Sequence, residues 1–208
     1  MTKTNILKAA VNHFKTVCIH KYWVFYYAYK CGIVWRGLKH DLSKFSYTEF
    51  SESIKYYTGT GSPIDKCKKI NGVSYAWLHH KGRNDHHYEY WQDNFDNGGN
   101  PVKMPYKCVL EMLCDYLAAG RAYQKDKFTY KSEFKWFINK ISNNIAMDLR
   151  TKVFIYTSLE HLACYEKYED DTMNILDPKR LKIRWQYADT IKTEEEFKLI
   201  REEVEKRW

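Results

Sequence analysis

The stretch PYKCVLEMLCDYLAAGRAYQ, residues 105–124, decides the fold. Its apolar residues recur at helical spacing, and Pro105 suits a first helical position, so one long helix should reach about Gln124. Glu111 and Asp115 stand four apart and share one face of that helix, on a segment otherwise rich in Leu, Ala and Cys. Burying an unpaired carboxylate is expensive, so the pair requires partners, and metal coordination is one of the few ways to offset the cost. A salt bridge to Arg121 or to a surface lysine is the plainer alternative.

Outward from this stretch the same periodicity dominates, and strand alternation bounded by hairpin turns is hard to find. A first helix is expected from about Lys3 to Lys30, ended by Gly32, and a second, short segment from Val34 to Lys44. Ser46 with Glu49 forms a capping-box pattern that opens a helix to about Tyr57, where TGTGSP stops it and a loop through SPIDKCKK follows. Further helical segments are expected from Gly72 to Lys81, Ser132 to Lys140 and Asp148 to Tyr168, the last turning Val153, Tyr156, Leu159 and Leu162 inward. Beyond Asp177 and Pro178 the chain is more polar, and Thr193 with Glu196 caps a charged final helix. The expectation is an all-α fold with a single domain over 1–208, its core in about 1–170 and a helical extension over 178–208.

A chain of 208 residues can bury a self-supporting core, and its 18 Tyr and 7 Trp must be largely half-buried, which excludes disorder throughout. The net charge of +8 favours an anionic partner. Because acidic residues are interspersed with basic ones, nucleic acid is possible but not favoured among such partners, which include nucleotides and acidic protein surfaces. No apolar run approaches the roughly 18 residues of a membrane span and no signal peptide is evident, so the chain reads as cytoplasmic. The six cysteines form no CxxC pair and are expected to be reduced and mostly buried. TGTG is followed by Ser-Pro, not Lys and a helix, and no GxSxG elbow occurs, which argues against an ATPase and a serine hydrolase.

Seven of the eight histidines precede residue 90. His40 is followed at once by Asp41, and His20 lies on the preceding helix; imidazole with carboxylate suits a borderline or hard divalent metal. The irregular stretch HHKGRNDHHYEYW (79–91) adds four histidines, and the loop DNFDNGGNP (93–101) is a candidate pocket rim. His13 and His161 read as structural, Lys66, Lys68 and Lys69 as a solvated face, and Tyr88, Tyr90 and Trp91 as core aromatics.

The order His20, His40 with Asp41, the doublets His79–His80 and His86–His87, then Asp115, resembles the H…HD…H…H…D pattern of the HD superfamily of metal-dependent phosphohydrolases, over roughly residues 13–121. The resemblance implies an HD-like helical bundle with one or two divalent ions drawn from Mn, Fe, Co, Ni, Zn or Mg. It puts a metal on His20, His40, Asp41 and Asp115, with His80 and His86 as second-site ligands. HDLSK looks like the HDxxK form, so Lys44 would face phosphate. With such a centre, Asp41 would orient the attacking water, Arg83 and His87 would join Lys44 on the substrate, and Glu111 would orient ligands or act as a general base. HDLSKF, NDHHYEYW and MPYKCVLEMLCDY are also similar to an uncharacterised family of Gram-positive bacteria and their phages, which lends no activity. The expected reaction is hydrolysis of a nucleotide or small phosphodiester, cyclic nucleotides included. The alternative is a metal-stabilised binding protein of HD-like fold that engages nucleic acid or a cellular protein without catalysis.

Overall fold

The computed structural model describes residues 3–167 and 174–208. Its helices are α1 (Lys3–Lys30), α2 (Val34–Lys39), α3 (Tyr47–Tyr56), α4 (Pro63–Asn71), α5 (Tyr75–Lys81), α6 (Tyr106–Gln124), α7 (Tyr130–Ser142), α8 (Leu149–Cys164), α9 (Pro178–Ala188) and α10 (Glu194–Glu205). The fold is an all-α bundle, and its one sheet among the described residues pairs Gln92–Asp93 with Asn100–Pro101. None of the described helices is long and apolar enough to cross a membrane.

The core forms around α6, which is buried nearly all round, as its run of apolar residues on every face requires. Val109, Met112, Leu113 and Leu117 are fully enclosed, and α1, α7 and α8 pack on this helix. Val153, Tyr156, Leu159 and Leu162 of α8 point inward as their spacing predicts. Each such leucine truncated to alanine would cost about 2–5 kcal/mol. The C-terminal segment is no appendage: Leu181, Trp185, Ala188 and Phe197 belong to the same core, and Trp208 packs against Phe134. Of the six cysteines, Cys31, Cys67, Cys108 and Cys114 are buried and all are free thiols.

Four local expectations are corrected. The segment Val34–Lys44 is not one helix: α2 stops at Lys39, Asp41 turns left-handed (φ 54°), and a 3-10 turn covers Leu42–Phe45. A short polar side chain such as Asp tolerates that conformation, and the break throws the Asp41 carboxylate inward. The stretch SPIDKCKK is helical, because Ser62 caps Asp65 N–H, Pro63 occupies the first turn and Gly72 (φ 76°) closes α4. Pro105 is the cap of α6, not its first residue. Helix α7 begins at Tyr130, two residues before the expected Ser132, since Thr129 and Ser132 form a capping box. Tyr168, the expected end of α8, lies outside the described residues; α8 is assigned to Cys164.

Docking of α2 on α1 positions the site. Gly37 faces α1 so closely that a Cβ there would lie 2.5 Å from that of Ala28. With no side chain in the way, α2 carries His40 to within hydrogen-bonding reach of His20.

Candidate metal centre

Five elements converge at one point. α1 supplies His20, the break after α2 supplies His40 and Asp41, the last turn of α5 holds His80, the irregular stretch after it brings His86 and His87, and α6 contributes Glu111 and Asp115. Every one of these except His87 is buried.

Around Asp41 Oδ2 the ligand atoms form one compact group. His20 Nε2 lies 3.6 Å and His40 Nε2 3.2 Å from it. His20 Nε2 and His40 Nε2 are 3.3 Å apart, and they stand 3.1 and 3.5 Å from Asp115 Oδ1. Two ligands each about 2.1 Å from a common ion would be separated by about 3.0 Å at right angles or about 3.4 Å at the tetrahedral angle. Three of the observed separations fall in that range, and the other two, at 3.5 and 3.6 Å, lie just above it. The other oxygen serves a second group: Asp41 Oδ1 lies 3.3 Å from His80 Nε2 and 3.4 Å from His86 Nε2, and His87 Nε2 is 2.9 Å from His80 Nε2. Asp41 therefore stands between two sets of donors, one on each oxygen.

The donor chemistry fits a cation. Asp41 Oδ1 and Oδ2 and His86 Nε2 are buried with no hydrogen-bond partner, although Lys44 Nζ stands 2.6 Å from Oδ2 as an ion pair. Leaving such groups unmatched is costly, and a positive ion shared by them removes the cost. Asp41, Glu49, Glu111 and Asp115 crowd into this region, yet among the described residues only Lys44 and Arg36 touch them as side-chain cations of fixed charge. These buried groups can hold a metal ion.

A second set of contacts aims the rings. His40 Nδ1 donates to Glu111 Oε1 at 2.9 Å, and His86 Nδ1 approaches the same oxygen at 3.2 Å. His80 Nδ1 donates to Glu49 Oε2 at 2.8 Å. Each carboxylate holds a proton on Nδ1 and turns Nε2 toward Asp41, the arrangement that makes imidazole a ligand. Glu111 Oε2 is taken by Arg36, which also pairs with Asp85. With both oxygens so engaged, Glu111 is an orienter of ligands. The alternative partner, Arg121, is elsewhere: its Nε donates to Tyr27 and its guanidinium covers Trp23 and Phe128.

Electrostatics follow from this crowding. Burial works against charge on His40, yet the Asp41, Asp115 and Glu111 carboxylates outweigh it and raise its pKa well above the usual value. Burial opposes ionisation of Asp41 and Asp115 as well, but neighbouring imidazoles, with Lys44 beside Asp41, hold both well below the ordinary range. Glu111 is drawn to about 2 by His40 and His86 against the pull of burial. Lys44 is raised because the Asp41 charge outweighs its desolvation.

A cavity of about 680 Å³ opens beside the centre, with His20, Lys44, His80, His87 and Asp115 in its wall. Lys44 thus lies between Asp41 and the open space. His87 both faces the cavity and joins the second donor group. Arg83 does neither; it is exposed and its guanidinium reaches the His79 carbonyl. The loop 93–101 does not form the rim either. That place is taken by Thr60, Gly61, Ser62, Ile64 and Asp65, because the start of α4 folds over the opening. His13 is buried against Phe50 and Tyr57 outside the donor groups, and burial followed by Lys44 lowers its pKa to about 4. Lys68, read as solvated, lines the cavity with its ammonium 4.1 Å from the Trp77 ring centroid.

Residues 9–177 match a family described as a family of unknown function, DUF5662. The chain belongs to that family. The matched span takes in every donor named above, with Glu49, Arg36 and the cavity wall through Lys140. No curated protein and no solved structure matches the chain. Sequence reasoning missed Glu49 and Arg36 as parts of this centre. Glu49 carried a signal of a different kind, its place in a capping pattern; its amide bonds Ser46, but its carboxylate turns to His79 and His80 instead of back to the cap.

Proposed function

We propose that the protein is a metal-dependent phosphohydrolase acting on a nucleotide or small phosphodiester, cyclic nucleotides included. The observation that supports this reading best is the division of Asp41 between two donor groups at the edge of a cavity that also holds a lysine. His20, His40, Asp41 and Asp115 would hold one divalent ion, and Asp41, His80, His86 and His87 a second. When bound there, such ions supply Lewis acidity, which ionises water near neutral pH and offsets charge on phosphoryl oxygens.

The chain's own residues do the rest. Glu111 and Glu49 keep protons on the Nδ1 atoms of His40, His86 and His80, so that Nε2 stays a donor of electrons. Lys44 stays charged through the neutral range and offers its ammonium to a phosphate oxygen at the cavity wall. The cavity is large enough for a nucleotide-sized ligand and draws aromatic rings from Trp77, Tyr88, Tyr116 and Trp136.

The second reading, a metal-stabilised binding protein, is favoured by one observation: Leu7, Trp35 and Tyr47 are large apolar side chains more than two-thirds exposed, at 68%, 77% and 87%. Elemental analysis followed by hydrolysis assays with Mn²⁺, Co²⁺, Ni²⁺ and Fe²⁺ on nucleotides, cyclic nucleotides and generic phosphodiesters separates the two. Turnover that depends on metal supports the hydrolase; stoichiometric metal without turnover of any phosphoester supports the binding protein.

A further inference from the structure

One buried carboxyl is used by nothing in the metal centre. Glu133 projects from α7, is 4% exposed, and lines the cavity. Its carboxyl has no hydrogen bond or ion pair among the described residues, although its backbone amide bonds Thr129. No side chain among the described residues matches this acid, and it faces a space that can accept a ligand.

The neighbouring helix is shaped around it. Gly120 sits inside α6, where glycine costs about 1 kcal/mol relative to alanine. A Cβ at that position would run into Glu133 Oε2 and would lie 2.7 Å from Phe128 Cε2. The glycine therefore leaves room for the carboxyl where a better helix former would close it off. Gly120 lies five residues beyond Asp115 on α6, a rise of about 7.5 Å, so Glu133 addresses a part of the ligand remote from the metal-binding side chains.

Its surroundings suit a flat, polar group. Helical spacing puts Glu133, Trp136 and Lys140 on one face of α7, and all three line the cavity. Lys140 is packed over the rings of Tyr88 and Trp136, 5.2 and 5.3 Å from their centroids, which keeps those aromatic side chains in place. Burial, and after it the Asp115 charge, pushes the Glu133 carboxyl up to about 8. Near neutral pH it holds its proton, offers one donor beside one acceptor, and does not repel a phosphorylated ligand.

We propose that Glu133 is the specificity-determining residue of the cavity, pairing through its carboxyl with the hydrogen-bonding edge of the planar heterocycle of a nucleotide whose phosphate lies at the Lys44 end. The location of the phosphate rests on the phosphohydrolase reading; the role of Glu133 does not require turnover.

The test compares the metal-loaded parent with Glu133→Gln and Glu133→Leu. Binding of AMP, GMP, CMP and UMP is measured by calorimetry, and hydrolysis of the same nucleotides and of p-nitrophenyl phosphate, which lacks such an edge, by steady-state kinetics. The parent is expected to prefer one base at least ten-fold. Glu133→Leu should erase that preference, weakening the favoured nucleotide about ten-fold or more, the effect of leaving one hydrogen-bonding edge unmatched. It should leave metal content and the kcat and KM for p-nitrophenyl phosphate unchanged. Glu133→Gln, which keeps a donor and an acceptor, should retain a base preference. The proposal is overturned if the parent binds none of the four or all four alike, if Glu133→Leu keeps the preference, or if it loses p-nitrophenyl phosphate turnover in proportion. Base-selective binding without hydrolysis would sink the phosphohydrolase reading and leave Glu133 standing; hydrolysis without base preference would do the reverse.

Discussion

His40 and Glu111 are joined by a 2.9 Å hydrogen bond from the ring Nδ1 to a carboxylate that Arg36 holds from the other side. That bond leaves His40 Nε2 facing Asp41 and Asp115. It also separates two kinds of residue, those that would touch a metal and those that aim the ligands.

Substitutions should distinguish the two kinds. His40→Ala or Asp41→Ala should reduce bound metal to background, because each removes donors from the centre and Asp41 serves both groups. Glu111→Gln keeps the shape but loses the charge that orients two rings, and should weaken metal binding by about 10- to 100-fold. Metal titration of the three purified variants checks this, and equal content in all three would refute the assignment.

Lys44 touches Asp41 but is no ligand, so Lys44→Ala should separate metal binding from chemistry. The metal-loaded variant should keep its ion and its Tm while hydrolysis falls by about 10²- to 10³-fold, the range for loss of one electrostatic stabiliser. The metal-free variant should melt below the metal-free parent, because Asp41 then loses its one ion pair with a lysine. Normal turnover would remove Lys44 from the site, and loss of metal would show that its role is structural.

These expectations were open to sequence reading to an uneven degree. Glu111 and Asp115 were legible because a four-residue spacing on an apolar helix leaves few explanations for two acids. The inward turn of Asp41 was not, since helical residues continue from Val34 to Lys44 and one left-handed residue leaves no periodic trace. The rim is hard to place from sequence because SPID, after TGTG, looks like loop, although Ser62, Pro63 and Asp65 make a sound helix start. Glu133 was invisible for a different reason: a glutamate on an amphipathic helix reads as solvated, and only the packing of α7 against Gly120 encloses it.

Gly120→Ala tests that enclosure. In an ordinary helix interior the change would stabilise by about 1 kcal/mol. Here the added methyl meets Glu133 and the Phe128 ring, and overpacking of this kind typically costs about 1–3 kcal/mol. Urea denaturation should therefore show a net loss of stability. Combining the change with Glu133→Ala should recover part of it, since the contact with the carboxyl is then gone. A more stable Gly120→Ala protein would mean that the two helices have more room than this packing gives them.

The pH dependence of stability tests the state of Glu133. Its carboxyl titrates near 4.5 when unfolded and is raised to about 8 in the folded chain by burial and by Asp115. Between these values the native state holds a proton that the unfolded chain has released. Stability attributable to this group is therefore full below about 4.5 and falls as pH rises toward 8, by at most about 1.4 kcal/mol per pH unit. Glu133→Gln carries no such proton and should remove that slope. With metal loading held constant, the Tm difference between Glu133→Gln and the parent should grow in favour of the variant from pH 5 to pH 8 and then level off. Groups common to both proteins, the ligand histidines included, cancel in that difference. A difference that stays flat across the range would show that Glu133 is ionised in the folded protein, and its carboxyl could then offer a ligand acceptors only.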